Sequence, residues 1–409
     1  MLCALGDFVM NVFEMKAAVV KDIKEIEEQY QLATYKKMPI VAERGEGVWV
    51  FTRDGDRYLD LYGGHAVAGT GHCHPHVVNA IKKQAEELLF YSNLVYSEAR
   101  AAAAQKLVSI APDSLTKAFF CNSGTEANEN AMRMARMATG RENVITFSGG
   151  FHGRTADAIS ATFLGKYRDI GRPNVPGHLQ AEFGDIESVR AIADGSIAAI
   201  MLEPIQSMAG VKMAEPSFYL GLRELCDERG IVLIYDEVQT GVGRTGEWFF
   251  AGSAAGHGVV PDIVSLAKAL GSGIPVGACL VTEAIASHIK ENDLGTTFGG
   301  GMMAMAAVTA TLEAIEADAM LANVRAVESH LRERLREVGQ VVKVRGSGFL
   351  LGLEFANKAK PIHEVLLETR IITGTSSDPN VLRLLPPLCL TKSEVDLFVD
   401  ALTSALAAN

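Results

Sequence analysis

Hydrophobic and polar positions follow two rhythms along the chain, and polar residues collect where one rhythm gives way to the other. Ile231-Val232-Leu233-Ile234-Tyr235 is an unbroken apolar run rich in β-branched residues, as expected of a strand buried on both faces of a parallel sheet. Asp262-Ile263-Val264-Ser265-Leu266-Ala267 contains a second such run. Ala118 to Cys121, Asn143 to Phe147, Ala198 to Leu202 and Gly277 to Thr282 add further strands. Between them, apolar residues recur every three or four positions and predict helices over 75–90, 97–110, 126–138, 216–230, 302–317 and 320–338. Upstream, 15–33 reads as a helix, and Glu46 to Tyr62 as antiparallel strands turned at Asp54-Gly55. The tail reads as strands near 341–346, 349–355, 370–373 and 381–385, with helices over 361–369 and 392–407. The pattern predicts an α/β fold with a mostly parallel central sheet in a large domain, 58–324. A small α+β domain is expected from both termini, residues 1–57 and 325–409.

The first apolar run ends on Asp236 and Glu237, and the second on Lys268. In an open α/β sheet, ligands sit beyond the carboxyl ends of the strands. Neighbouring strands would then bring an acid and a lysine to one crevice. Pyridoxal phosphate needs that pair: a lysine to form the Schiff base and an acid to partner the pyridine nitrogen. Strand 118–121 feeds Asn122-Ser123-Gly124-Thr125-Glu126 and then a helix, which presents free N–H groups and hydroxyls to an anion such as a phosphate. Simple capping by Ser123 or Thr125 is the alternative. Phe151, in Gly150-Phe151-His152-Gly153-Arg154-Thr155, could stack on a planar cofactor or merely pack. Strand 198–202 ends on another acid, in Glu203-Pro204-Ile205-Gln206.

Composition narrows the field. The chain has 409 residues, 48% apolar and 21% charged, which suits a large globular enzyme. Its net charge of −11 argues against nucleic-acid binding. No apolar run reaches membrane length. Six scattered cysteines without a CxxC read as reduced thiols, hence a cytoplasmic protein. Met1 to Glu14 lacks the basic start of a signal peptide and is expected to be frayed or an extension ahead of a later start.

Two motifs invite other chemistry. His72, Cys73, His74 and His76 suggest a metal, but their spacing matches no zinc template, and a structural loop is expected. Gly241-Val242-Gly243-Arg244-Thr245-Gly246 fits the dinucleotide fingerprint of a nicotinamide-dependent dehydrogenase. That fingerprint should follow its strand directly and open a helix. Here Asp-Glu-Val-Gln-Thr intervenes, and Glu247 to Gly252 has no helical periodicity.

Taken in order, GHCHP, NSGTEAN, FHGRT, EPIQ, DEVQTGVGRTG, SLAKALG and TTFGG resemble subgroup III of the fold-type-I pyridoxal phosphate aminotransferases, and most nearly the acetylornithine and ornithine aminotransferases. The resemblance runs from about Lys36 to the C-terminus. It implies a homodimer with shared active sites at the interface, and small-molecule substrates: an amino donor and a keto-acid acceptor. It assigns Lys268 to the Schiff base and Asp236 to the pyridine nitrogen. Gln239 is placed near the phenolic oxygen, with Val238 and Phe151 on the two ring faces. Ser123, Gly124 and Thr125 would cradle the phosphate, completed by Thr297 of the second subunit, and Glu203 is the acid of the EPIQ strand. Arg154 and Arg383 would grip substrate carboxylates, with Thr296 and His65 lining the same pocket.

The sequence departs from that pattern where the amino donor would bind. Met208 stands where ornithine-type enzymes usually carry a glutamate able to neutralise the second arginine. Gly301-Met302 replaces a common Asn-Pro, and His65 occupies a position often aliphatic or aromatic. Cofactor chemistry is therefore expected to be intact while the donor stays open. It is acetylornithine or ornithine first, otherwise 4-aminobutyrate or another ω-amine, with 2-oxoglutarate or pyruvate as acceptor. An aminomutase shares the same lysine and cradle.

Overall fold

Seven strands form the central sheet, in the spatial order Leu115–Cys121, Gly277–Thr282, Ile263–Leu266, Val232–Asp236, Ile197–Leu202, Asn143–Phe147 and His178–Ala181. Gly277–Thr282 runs antiparallel to both its neighbours, and the remaining pairings are parallel. The computed structural model describes residues 23–407. The mostly parallel sheet matches the expected fold class. The edge strand His178–Ala181 has no counterpart in the sequence reading. Only four residues long, it carries too little pattern to show.

Side-chain parity explains why these runs are apolar throughout. Val232 and Ile234 face the core that includes Ala127, Ala131 and Ala135 of helix Gly124–Thr139. Leu233 and Tyr235 face the opposite core, with Phe218, Leu222 and Leu225 of helix Pro216–Arg229. Alternate residues of one strand thus meet helices on opposite sides, and no face is left for water. Helix Gly124–Thr139 begins two residues before the predicted start, so Gly124 and Thr125 lie in its first turn.

By contact density the chain divides into two units, one containing the chain up to Gly45 with Val50–Arg57, the other Glu46–Trp49 with everything from Tyr58. In the first, helix Ile23–Tyr30 buries no residue, and the Asp54-Gly55 turn is closed by the Thr52 N–H on Asp56 O at 2.8 Å. Residues 15–22 of the predicted helix, and Met1 to Glu14, lie outside the described residues. In the second unit, Val341–Ser347, Leu350–Phe355, Val381–Leu384 and Gly374–Thr375 form an antiparallel sheet. Arg383 sits there between Gly352 and Gly374. A Cβ on Gly374 would lie 2.0 Å from the Tyr62 ring, so glycine is needed where tyrosine and arginine meet. Ile371–Ile372 pairs in parallel with Leu59 and Asp60, which brings the strand leading to Tyr62 beside this sheet. Among the described residues, no helix is long and apolar enough to cross a membrane.

Leu233 is fully buried at the middle of the central sheet. Leu233→Ala is expected to lower unfolding free energy by about 2–5 kcal/mol, read by chemical denaturation. A loss under about 1 kcal/mol would mean that the site collapses around the missing atoms and is not held from both faces.

Candidate active site

Asp236 inherits its direction from the strand. Positions 232, 234 and 236 share one face, so the last of them meets helix Gly124–Thr139 where that helix offers a polar residue, Asn128. Asn128 Nδ2 donates to Asp236 Oδ2 at 2.8 Å, and His152 Nδ1 reaches the same oxygen at 2.8 Å. The Val238 N–H donates to Oδ1 at 3.1 Å. Ser265, paired with Asp236 across the strands, donates its hydroxyl to Asn128 Oδ1 at 2.5 Å. The four side chains form one buried network. Asn128, Ser265 and His152 were not singled out from the sequence, since their partners are remote in the chain. Helix spacing alone, Asn128 one turn inside a candidate anion-binding helix, was the available signal.

Glu237 has the other parity and turns away from this network. Its carboxylate accepts from the Phe250 and Ala251 N–H groups at 2.7 and 2.8 Å and from the Thr240 hydroxyl at 3.0 Å. Burial pushes its pKa up to about 7, against the pull of those three donors.

Lys268 follows the neighbouring parallel strand and takes a left-handed backbone conformation, φ +46°. Such strain in a residue with a Cβ is held by its surroundings and gathers at functional sites. Burial lowers the pKa of its amine, while the nearby Asp236 and Glu203 carboxylates oppose that shift. Glu203 is buried and accepts the Phe151 N–H at 2.9 Å. Burial, then the Asp236 charge, push its own pKa up. The structure therefore brings Lys268, Asp236, Glu203 and the Phe151 loop into one electrostatic neighbourhood. Val238 and Gln239 follow Asp236 directly, and Gln239 Oε1 is buried without a partner among the described residues.

Ser123 does cap the helix, accepting the Glu126 N–H at 3.3 Å. A Cβ on Gly124 would come within 2.8 Å of Val238, so the turn sits tightly over the Asp236 strand end. The Thr125 hydroxyl meets that of Thr155 at 2.6 Å. Thr296 lies beside this turn, its hydroxyl accepting from Asn122 Nδ2 at 3.0 Å, and Thr297 is exposed.

The arginines each meet a tyrosine. Arg154 lies 5.0 Å from the Tyr167 ring centroid, and Tyr167 packs edge-on against Phe151 with centroids 5.8 Å apart. Buried Arg383 donates to Thr375 O at 2.7 Å, Ser207 Oγ at 3.0 Å and Tyr62 Oη at 2.6 Å. All three acceptors are neutral. Tyr62, Tyr167 and Ser207 were missed from the sequence, where nothing marks an isolated tyrosine or serine. Burial raises the Tyr62 pKa, with the Arg383 cation opposing it. His65 sits in a left-handed turn with its ring centroid 4.7 Å from that of Tyr62. Each non-glycine residue in such a turn costs about 1–2 kcal/mol.

The two competing motifs are absorbed by structure. Residues 241–246 form turns and no helix starts there. Arg244 is fully buried and donates to the Phe349 and Pro386 carbonyls. In the histidine-rich loop, His72, His74 and His76 pair with Asp60, Asp318 and Glu313.

A family model described as aminotransferase class-III matches residues 30–406. An acetylornithine aminotransferase of Methanopyrus kandleri is 41% identical over 391 residues, covering 95% of this chain and all of that protein. Among solved structures, an ornithine aminotransferase from Toxoplasma gondii superposes with a TM-score of 0.88 at 27% identity, covering 95% of each chain. An acetylornithine aminotransferase from Elizabethkingia anophelis gives 0.82 at 27% identity, over 95% of this chain and 99% of that one.

Glu237 yields a pH test. Its folded pKa of about 7 exceeds the ordinary 4.5, so its contribution to stability is full below the ordinary value and is lost as pH rises through about 7. Glu237→Gln lacks that dependence. The stability of the variant relative to wild type is expected to improve between pH 5 and pH 8, read from denaturation midpoints. A constant difference would refute the assigned pKa.

Proposed function

The chain belongs to the class III aminotransferases, whose cofactor is pyridoxal phosphate, and from that premise we propose that it moves the terminal amino group of an acetylornithine- or ornithine-like amino acid to 2-oxoglutarate. The observation that carries the reading is the placement of Asp236 and Lys268 just beyond the ends of adjacent parallel strands, within electrostatic reach of each other and of an arginine whose described partners are all neutral.

The residues fit the cofactor. Asp236 is fixed through Oδ2 and keeps Oδ1 for one backbone N–H, so it can also accept from a pyridinium. Gln239 Oε1 awaits a donor. Gly124 lets the helix start close on Val238, which a Cβ would meet at 2.8 Å. Ser123, Gly124 and Thr125 would hold the phosphate, with Thr297 of a second copy, and Phe151 and Val238 would flank the ring.

When bound, pyridoxal phosphate supplies a sink for the electrons left on the substrate carbon as its proton departs. Asp236 keeps the proton on the ring nitrogen, and Asn128 and His152 hold the carboxylate in place. Lys268, with its amine pKa lowered by burial, would carry the proton between the amine-bearing substrate carbon and the cofactor carbon that takes up the amine. Arg154 and Arg383 each offer a planar fork to a carboxylate, which suits a dicarboxylic keto acid as acceptor. Met208 puts a thioether where a neutralising carboxylate could have stood.

A homodimer completes this reading. Leu89, Leu94, Tyr96 and Phe298 are exposed, Leu94 at 91%. Asn93 ties their segment to Gly299 at 2.9 Å, so an apolar surface runs on to Thr297. Large exposed apolar surfaces mark interfaces.

Lys268→Ala is expected to abolish turnover and remove the near-visible absorbance of bound cofactor while the far-ultraviolet circular dichroism stays unchanged. A coloured, active variant would overturn the assignment. Titrating the holoenzyme with acetylornithine, ornithine, 4-aminobutyrate and plain ω-amines, following that band, tests the donor. If only a plain ω-amine converts the cofactor, the acetylornithine reading falls. Leu94→Glu is expected to shift the protein from dimer to monomer in sedimentation velocity, and an unchanged dimer would place the interface elsewhere.

A further inference from the structure

Thr125 and Thr155 meet hydroxyl to hydroxyl at 2.6 Å, and counting hydrogens decides which of them donates. Thr155 also donates to Glu129 Oε1 at 2.7 Å. That oxygen takes the Asp157 and Ala158 N–H groups as well, at 2.9 and 3.1 Å, so it acts as an acceptor. A hydroxyl carries a single proton. With its own directed to Glu129, Thr155 can only accept from Thr125. The Thr125 proton is therefore turned toward Thr155, and its side chain has no donor left for an anion at the helix start. Ser123 is engaged in a similar way, donating to Glu126 Oε2 at 3.4 Å and accepting the Glu126 N–H at 3.3 Å. What the turn still offers an anion is its backbone, because the first N–H groups of a helix have no partner inside it.

The hydroxyl chain serves a different segment. Thr125, Glu129 and Arg136 stand four and then seven residues apart on helix Gly124–Thr139, hence on one face. All three reach residues 153–158. Arg136 Nη1 donates to Asp157 Oδ2 at 2.8 Å. Thr155 is the N-cap of the short helix Ala156–Ser160, yet its hydroxyl makes no capping bond there. Glu129, from the longer helix, takes the N–H groups of that first turn instead. Gly153, at φ +139°, packs so closely that a Cβ on it would lie 2.1 Å from Thr125 Oγ1. Between Gly153 and Thr155 stands Arg154, with its guanidinium carbon 5.0 Å from the Tyr167 ring centroid. Both chain neighbours of the arginine thus rest on Thr125.

We propose that Thr125 is a positioning residue: its hydroxyl fastens the Arg154 loop to the helix through Thr155 and Glu129, while backbone N–H groups of the same turn hold the phosphate. This rests on the aminotransferase reading of the site and deepens it. One turn serves the cofactor through its backbone and the substrate arginine through its side chain.

The test compares wild type with Thr125→Val, Thr125→Ser, Thr155→Val and the double valine variant, each as the full chain. Affinity for pyridoxal phosphate is read from near-visible absorbance on adding the cofactor, and KM and kcat are measured with 2-oxoglutarate. In Thr125→Val, cofactor affinity is expected to stay unchanged while KM rises about fivefold, more than kcat falls. Faster amide exchange at Asp157 and Ala158 of the holoenzyme is expected alongside. Serine at 125 is expected to recover most of the loss, and the double variant to be no worse than Thr155→Val, since both break one chain. Weaker cofactor binding in Thr125→Val would make the hydroxyl a phosphate ligand and overturn the proposal. An unchanged KM, or valine effects that add in the double variant, overturns it too. If wild type does not use 2-oxoglutarate, the proposed acceptor falls, and the exchange rates of the two amides decide the inference: faster in Thr125→Val upholds it, unchanged overturns it.

Discussion

A carboxylate removed from water is tolerated only when enough donors replace the lost hydration, and the buried side chain of Asp236 sets that requirement for the whole site. Its donors come from separate pieces of chain: Asn128 from a helix, His152 from the glycine-rich loop and the Val238 amide from the turn after the strand. Ser265, on the next strand, holds the helix residue in register. The Asn128 and His152 contacts are remote in sequence, and only the Val238 amide is local, so the carboxylate is fully satisfied only once sheet, helix and loop have assembled. Folding and the preparation of the site are in this sense one event.

The next residue does the opposite job with the same chemistry. Glu237 points through the other face of the sheet and gathers the Phe250 and Ala251 amides and the Thr240 hydroxyl. The loop it organises carries Arg244, whose guanidinium reaches the Phe349 and Pro386 carbonyls. Pro386 lies three residues beyond Arg383. Two adjacent acids of opposite parity thus anchor different parts of the fold: one gathers helix, loop and turn around itself, the other the chain that leads back to Arg383. Arg244 does this at some cost, since burial lowers its pKa to about 9 and its Nε and Nη2 have no partner among the described residues.

That division of labour explains how much the sequence could show. Strands such as Val232–Asp236 were legible because burial on both faces leaves an unbroken apolar run, and Asp236 and Lys268 because they end such runs. His178–Ala181 was not legible: a four-residue edge strand has no room for a period. The fingerprint at Gly241–Gly246 shows the limit of a motif without its context, for its glycines serve turns around a buried arginine. Tyr62, Tyr167 and Ser207 escaped for another reason. Their meaning comes from Arg154 and Arg383, and nothing in the local pattern of a single tyrosine or serine records such a partner, which for Tyr62 and Ser207 lies more than a hundred residues away. Helix Gly124–Thr139 starts earlier than its apolar rhythm because the Ser123 cap, rather than hydrophobic spacing, decides where it begins.

The charges in the pocket are arranged so that the protein alone does not balance them. Asp236 is matched by hydrogen bonds and Glu203 has its pKa raised by burial, while burial lowers the pKa of the Lys268 amine against the pull of both acids. Arg383 is buried among neutral acceptors. A guanidinium in that position keeps part of its desolvation penalty until an anion arrives, so a substrate carboxylate gains more there than it would against an arginine already paired with an acid.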